Sequence, residues 1–227
     1  MIWRYALAVA VLVALPGAAP SKVRGEPSAV AAAERLLAAV GGREAWRSAR
    51  TFYVEERVYL ASGEVGDLRI WRDLNSGARR IERKTPTSIF KEWLAAGEGF
   101  DSRDGKLRRM PPEELAMERR GLMQEPYAIY RRLALEDPTL RVELRDPRSL
   151  YVFDGDEQLL CWFLLNDAGA LVSWANVYNG AINQHYYGPI VPVGDVRLPK
   201  WGASPTGFRF EYVGAKFLAD AVTAPTP

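Results

Sequence analysis

The stretch Gln158-Leu159-Leu160-Cys161-Trp162-Phe163-Leu164-Leu165-Asn166-Asp167-Ala168-Gly169-Ala170-Leu171-Val172-Ser173-Trp174-Ala175-Asn176-Val177-Tyr178 reads as two strands joined by a turn. Asn, Asp and Gly between two runs of aliphatic and aromatic residues are the chemistry of a hairpin. If Leu165 faces Ala170 across a four-residue loop, facing residue numbers sum to 335. One face then carries Cys161, Phe163, Leu165, Val172 and Trp174, and the other Leu160, Trp162, Leu164, Leu171, Ala175 and Val177. Both faces are apolar, whereas an antiparallel sheet commonly keeps one face wet. Something must cover the second face, either helical segments or a bound apolar ligand.

Upstream the same period of two recurs. From Thr51, the residues Phe52, Val54, Val58 and Leu60 share one parity, and Tyr53, Glu55, Arg57 and Tyr59 the other. Residues 65–74 place Leu68, Ile70 and Leu74 at even numbers, so even meets even across an odd-length loop, with Gly63 in its left-handed position. Residues 79–85 are mostly charged, which predicts a solvated or edge strand. Residues 88–96 form a further strand with Phe90, Trp93 and Leu94, and Asp104-Gly105 closes a hairpin between Gly99-Phe100 and Lys106-Leu107.

Helices flank and interrupt these strands. Residues 29–40 are Ala-rich, with an apolar stripe at Leu36, Leu37 and Val40, and Gly41-Gly42 ends them. A short turn over 43–49 places Trp46 for packing. Pro111-Pro112-Glu113-Glu114 opens a helical region that runs to about residue 135, with breaks expected near Gly121 and at Pro126. Beyond Pro138, strands are expected over 140–144, 149–153, 184–187, 197–201 and 208–213, besides the hairpin. The class is therefore α+β: one large antiparallel sheet with few helices.

The chain has 227 residues, 48% hydrophobic and 11% aromatic, with a net charge of +2, one His and one Cys. So small a charge implies no nucleic-acid partner, and a lone cysteine makes no internal disulfide. Arg4, the unbroken apolar run over residues 5–15 and Pro16-Gly17-Ala18-Ala19-Pro20 follow the secretory pattern. The expected division is a cleaved signal at 1–20, a disordered lead-in at 21–28, one domain at 29–217 and a disordered tail at 218–227, with the product periplasmic or secreted.

No catalytic signature emerges. Cys161 lies in an apolar run, where burial suppresses the thiolate. His185 is the only imidazole, and no Gly-x-Ser-x-Gly elbow accompanies it. Asp101, Asp104, Asp154 and Asp156 sit where hairpin turns are needed rather than in calcium-loop spacing. Carboxylates such as Glu55, Glu56, Asp154 and Glu211 are not brought together by spacing alone. Neither a metal nor a cofactor is expected. The basic doublets, among them Arg79-Arg80, Arg119-Arg120 and Arg131-Arg132, form either a solvated face or a contact for anionic lipid headgroups.

Three further stretches carry a family resemblance. They are the opening Ala33-Glu34-Arg35-Leu36-Leu37-Ala38-Ala39-Val40-Gly41-Gly42, then Gly99-Phe100-Asp101-Ser102-Arg103-Asp104-Gly105-Lys106, and Tyr186-Tyr187-Gly188-Pro189 with Gly194-Asp195-Val196-Arg197-Leu198-Pro199. Over residues 29–217 the chain resembles the LolA/LolB-like periplasmic lipoprotein-carrier superfamily. The resemblance implies an open half-barrel, a strongly curved sheet whose concave face is covered by the N-terminal helix and the helical insertion, and a cavity that takes up acyl chains.

On this reading the protein is a monomeric, non-enzymatic carrier of lipid, lipoprotein acyl chains or another apolar ligand, in transient contact with membrane or envelope proteins. The expected cavity residues are Trp71, Phe90, Trp93, Leu160, Trp162, Leu164, Trp174 and Phe210, under a movable cover of Met110, Leu115, Leu122 and Met123. The alternatives are an envelope interaction or stress-sensing module with a filled interior, and a hydrolase using His185.

Overall fold

Residues 22–95 and 97–222 are described by a computed structural model. The expected export segment lies outside them. In chain order the elements are α1 (Pro27–Ala39), α2 (Arg43–Ser48), β1 (Thr51–Tyr59), β2 (Val65–Asp73), β3 (Arg79–Lys84), β4 (Ile89–Leu94), β5 (Gly99–Arg103) and β6 (Lys106–Arg109). Two helices follow, α3 (Pro112–Gln124) and α4 (Pro126–Ala134). The chain then runs through β7 (Leu140–Asp146), β8 (Ser149–Asp154), β9 (Gln158–Leu165), β10 (Leu171–Tyr178), β11 (Ala181–Tyr187), β12 (Ile190–Val193), β13 (Val196–Pro199), β14 (Trp201–Ala203) and β15 (Arg209–Leu218).

Thirteen strands make one antiparallel sheet in the order β6-β5-β4-β3-β2-β1-β15-β14-β11-β10-β9-β8-β7, while β12 and β13 pair separately. The sheet does not close, since β6 and β7 remain edges, and the fold is an α+β open half-barrel. Its curvature can be read from one side chain. Glu118 of α3 accepts from Arg79 of β3 at 2.7 Å and from the Tyr178 hydroxyl of β10 at 2.6 Å. Five strands of the sheet lie between those two.

Even residues of β1 build the inner face: Phe52, Val54, Glu56 and Val58 are buried, and β2 answers with Leu68, Ile70 and Arg72 in register. The β1–β2 loop is five residues long, with Gly63 at φ 86°. α1 buries Ala29, Ala32, Ala33, Leu36 and Leu37, a helical stripe that packs on β7 and β8. Trp46 joins the layers. Its ring lies 5.1–5.2 Å from Phe52, Tyr130 and Phe217, and its indole donates to the Val40 carbonyl at 3.0 Å. Two filled clusters result: a large one under α1, α2 and α4, and a small one of Leu94, Met110 and Leu122 with Leu115 beneath α3.

Several expectations are corrected. Residues 79–85 are not a solvated or edge strand, because β3 lies between β2 and β4 and all its charges except the exposed Lys84 are paired or stacked. Arg79 is buried among carboxylates, Arg80 lies over Trp71 and Arg83 over Phe90. The helix does not break at Gly121; α3 continues to Gln124, and a Cβ at Gly121 would meet the Tyr178 ring at 3.0 Å.

The decisive hairpin also shifts by one residue or more. Leu165 pairs with Leu171, and beyond a bulge Trp174 pairs with Phe163. The Asn166 side chain accepts from the amides of Ala168 and Ala170, which widens the loop. Val172 becomes the extra residue, and Leu171 joins Phe163 and Leu165 in the core instead of lying on the face opposite to theirs.

The ends of the domain are more ordered than expected. Val23 is buried, and Arg24 bridges the free edge of β7 by bonds with Leu140 and Val142, because an edge strand offers unpaired amides and carbonyls. At the other end β15 runs to Leu218, and the Thr51 hydroxyl donates to the Asp220 carbonyl at 2.6 Å.

Candidate functional site

Between the two filled clusters a cavity of about 260 Å³ stays open, under the α3–α4 junction and across β2, β1, β15, β11 and β10. One wall is aromatic. Trp174 and Phe210 lie 5.6 and 5.9 Å from the His185 ring, and Tyr187, Tyr212 and Tyr127 continue the wall. The Tyr127 and Tyr212 hydroxyls are hydrogen-bonded to each other.

The opposite wall is ionic. Arg79 donates to Glu92 at 2.5 and 2.8 Å, to Glu118 at 2.7 Å and to Glu125 at 3.3 Å. Arg72 bonds Glu125 and stacks over the Tyr127 ring at 4.6 Å. Buried guanidiniums so surrounded stay charged, and Arg79 is held above its ordinary range by the carboxylates around it even against the cost of burial.

Glu56 lies between the walls. It is 6% exposed, lines the cavity, and makes no hydrogen bond or ion pair among the described residues. Burial raises its pKa from 4.5 to about 7, with Arg72 pulling the other way. A bulge aims it: β1 pairs Glu55 with Gly214 but Glu56 with Tyr212, which leaves Val213 unpaired and outward. Two polar atoms of lining residues are fully buried without a partner, Nη1 of Arg72 and Oδ1 of Asn176. Asn176 is fixed by the hydrogen bond its Nδ2 donates to Gln124 Oε1 at 2.8 Å, and the Trp174 indole donates to the Gln124 backbone carbonyl at 3.2 Å.

Of the expected cavity residues, the structure brings Trp174 and Phe210 to this site. Leu160 is instead packed in the large cluster, through a bulge in the β8–β9 pairing. Trp71, Trp93, Trp162 and Leu164 belong to the outer face. There Trp71 packs on Tyr53 and under Arg80, Trp93 stacks with Phe100, and Trp162 stacks with Tyr151 beneath Arg145. On this outer face Arg80 covers Trp71 and Arg145 covers Tyr151, while Leu164 and Val177 of the hairpin stay exposed. Phe90 lines a separate hollow beside β6.

Met110, Leu115 and Leu122 do not hang over the cavity as a cover; they seat α3 on Leu94. Met123 is 45% exposed and borders another hollow, of about 320 Å³, with Arg119 and Arg120. Glu56, Arg72, Tyr127, Tyr187 and Tyr212 were not expected at the site. The available signal was a lone acid and a lone arginine sharing parity with apolar neighbours on β1 and β2.

His185 faces the cavity, and burial among rings lowers its pKa, so the imidazole is neutral. No hydrogen bond joins it to a hydroxyl, thiol or carboxylate among the described residues. Cys161 is fully buried, and its thiol is pushed well above the ordinary range by that burial. Among the described residues no three His, Cys, Asp or Glu side chains are grouped to hold a metal ion, and no helix is long and apolar enough to cross a membrane. No protein-family model matches the chain, and a search of the curated proteins gave no significant match.

Proposed function

We propose that this protein is a non-enzymatic binder or carrier that takes the apolar part of a small amphiphile between α3–α4 and the concave face. The observation that carries the reading is the aromatic cavity left open between two otherwise filled clusters. Its volume is near the lower end of the roughly 300–1,000 Å³ usual for small-molecule sites. Each methylene transferred there from water contributes about 0.8 kcal/mol.

A larger, open hollow of about 770 Å³ shares Gly121 and Tyr178 with the cavity and includes Met117 and Val177, so a longer tail has somewhere to extend. The half-barrel shape and the three sequence stretches favour a role like that of the LolA/LolB-like carriers. Arg4 and the apolar run over residues 5–15 favour export to the periplasm or beyond it.

Organic extraction of the purified protein followed by mass spectrometry tests the reading, together with uptake of a fluorescent fatty-acid analogue. A co-purifying lipid or saturable uptake is expected; the absence of both overturns it. The second reading, an interaction or sensing module, draws on the fully packed side under α1, α2 and α4. Capture of a defined envelope protein without any ligand uptake would favour it.

A further inference from the structure

The charged groups that line the cavity do not balance. Three carboxylates (Glu56, Glu118 and Glu125) and two guanidiniums (Arg72 and Arg79) line it, and both arginines are committed: Arg79 to Glu118, Glu125 and, outside the cavity, Glu92, and Arg72 to Glu125. Glu56 is left over. Its surroundings are Arg72 from β2, Glu125 at the α3–α4 junction, Tyr127 from α4, Tyr187 from β11 and Tyr212 from β15, with neutral His185 across the cavity. Burial raises all three tyrosines, so none of them titrates near neutral pH.

A carboxylate more than nine-tenths buried, with neither a hydrogen bond nor an ion pair of its own, is a standing cost that a fold rarely keeps unless something binds there. Here it stands among aromatic rings, whose faces attract cations and not anions.

We infer that the cavity takes a cationic head, a protonated amine or quaternary ammonium, at the head of an otherwise apolar ligand. The inference rests on the binding reading above and specifies its ligand class. Glu56 supplies the counter-charge. The rings of Trp174, Tyr187, Phe210 and Tyr212 enclose the cation, and the unpartnered Arg72 Nη1 accommodates an acceptor oxygen beside it. An anionic head would meet Arg72 but also the excess of carboxylates.

The test is isothermal titration of the full chain at pH 8 with decyltrimethylammonium and decanoate below their micelle concentrations and decanol below its solubility limit. The ammonium is expected to bind at least about tenfold more tightly than the alcohol, and the carboxylate most weakly. In Glu56→Gln the preference for ammonium over alcohol falls to about onefold. On the unaltered protein the ammonium also gains affinity between pH 6 and 8, as Glu56 ionises, while the alcohol does not.

Equal binding of all three, or tightest binding of decanoate, overturns the cationic head and leaves the apolar-binding reading standing. Binding of none of them overturns both. The comparison of heads on the unaltered protein does not depend on how the variant folds.

Discussion

Replacing Glu56 by Gln should make the protein more stable, and only above mildly acidic pH. Burial holds the Glu56 proton to about pH 7 instead of 4.5. Below 4.5 the carboxyl is protonated in both the folded and unfolded chain, and no difference arises. Between 4.5 and 7 the unfolded chain releases its proton first, so stability falls as pH rises, and above 7 the loss is complete. At about 1.4 kcal/mol for each pH unit of that interval, the ionised carboxylate costs about 3 kcal/mol. Gln has nearly the same shape and no charge to bury. At pH 8 Glu56→Gln should therefore exceed the parent by about 2–3 kcal/mol, or by roughly 4–12 °C in Tm for a domain of this length. At pH 4.5 the two should agree within about 1 kcal/mol. Urea unfolding of both proteins at the two pH values measures this. A difference of the same size at both pH values, or a variant less stable at pH 8, refutes the argument that the buried charge is uncompensated.

Three further outcomes are expected. Arg79→Met strands Glu92 and leaves Glu118 with only Tyr178 and Glu125 with only Arg72, so it should cost about 3–5 kcal/mol at pH 7, and less at lower pH, where Glu92, already raised by burial, takes up a proton; a loss under 1 kcal/mol by urea unfolding at pH 7 contradicts the buried network. Trp46→Ala removes the ring that joins Phe52, Tyr130 and Phe217 and should cost about 3–5 kcal/mol; unfolding curves that barely move would show that the interior closes over the gap. Cys161 should resist maleimide at pH 8 in the native protein and react within minutes in denaturant, and rapid native labelling would show that β9 opens readily.

Much of the architecture was legible where one face of a strand is buried and the other is wet. Phe52, Val54 and Val58 against Leu68 and Ile70 fix the β1–β2 register by parity, and Gly63, Asp104-Gly105 and Pro126 mark breaks that backbone sterics impose. The rest depended on partners distant in the chain. Arg79 reads as a surface residue until Glu118 and Glu125 arrive from a helix whose position parity does not reveal. Bulges at Val172 and Val213 each switch the inward parity within a strand, so Phe210 and Tyr212 point the same way as Ala215 and Phe217. The outer tryptophans read as cavity lining because nothing local distinguishes a ring under an arginine from a ring under a ligand. Glu56 was visible as a candidate carboxylate, but its isolation is a property of five other elements.

The place of β15 sets the timing of assembly. It lies mid-sheet, hydrogen-bonded to β1 on one side and β14 on the other, so the first and last long strands of the chain form the central seam. Until that final segment has emerged, the N-terminal meander and the C-terminal meander are separate halves, each with a raw edge. Pairings of such long sequence separation are slow to form and prone to stray association beforehand. A chain cut short before Arg209 would thus lose the joint between its halves rather than a dispensable end, and full-length synthesis becomes a precondition for the hollow itself.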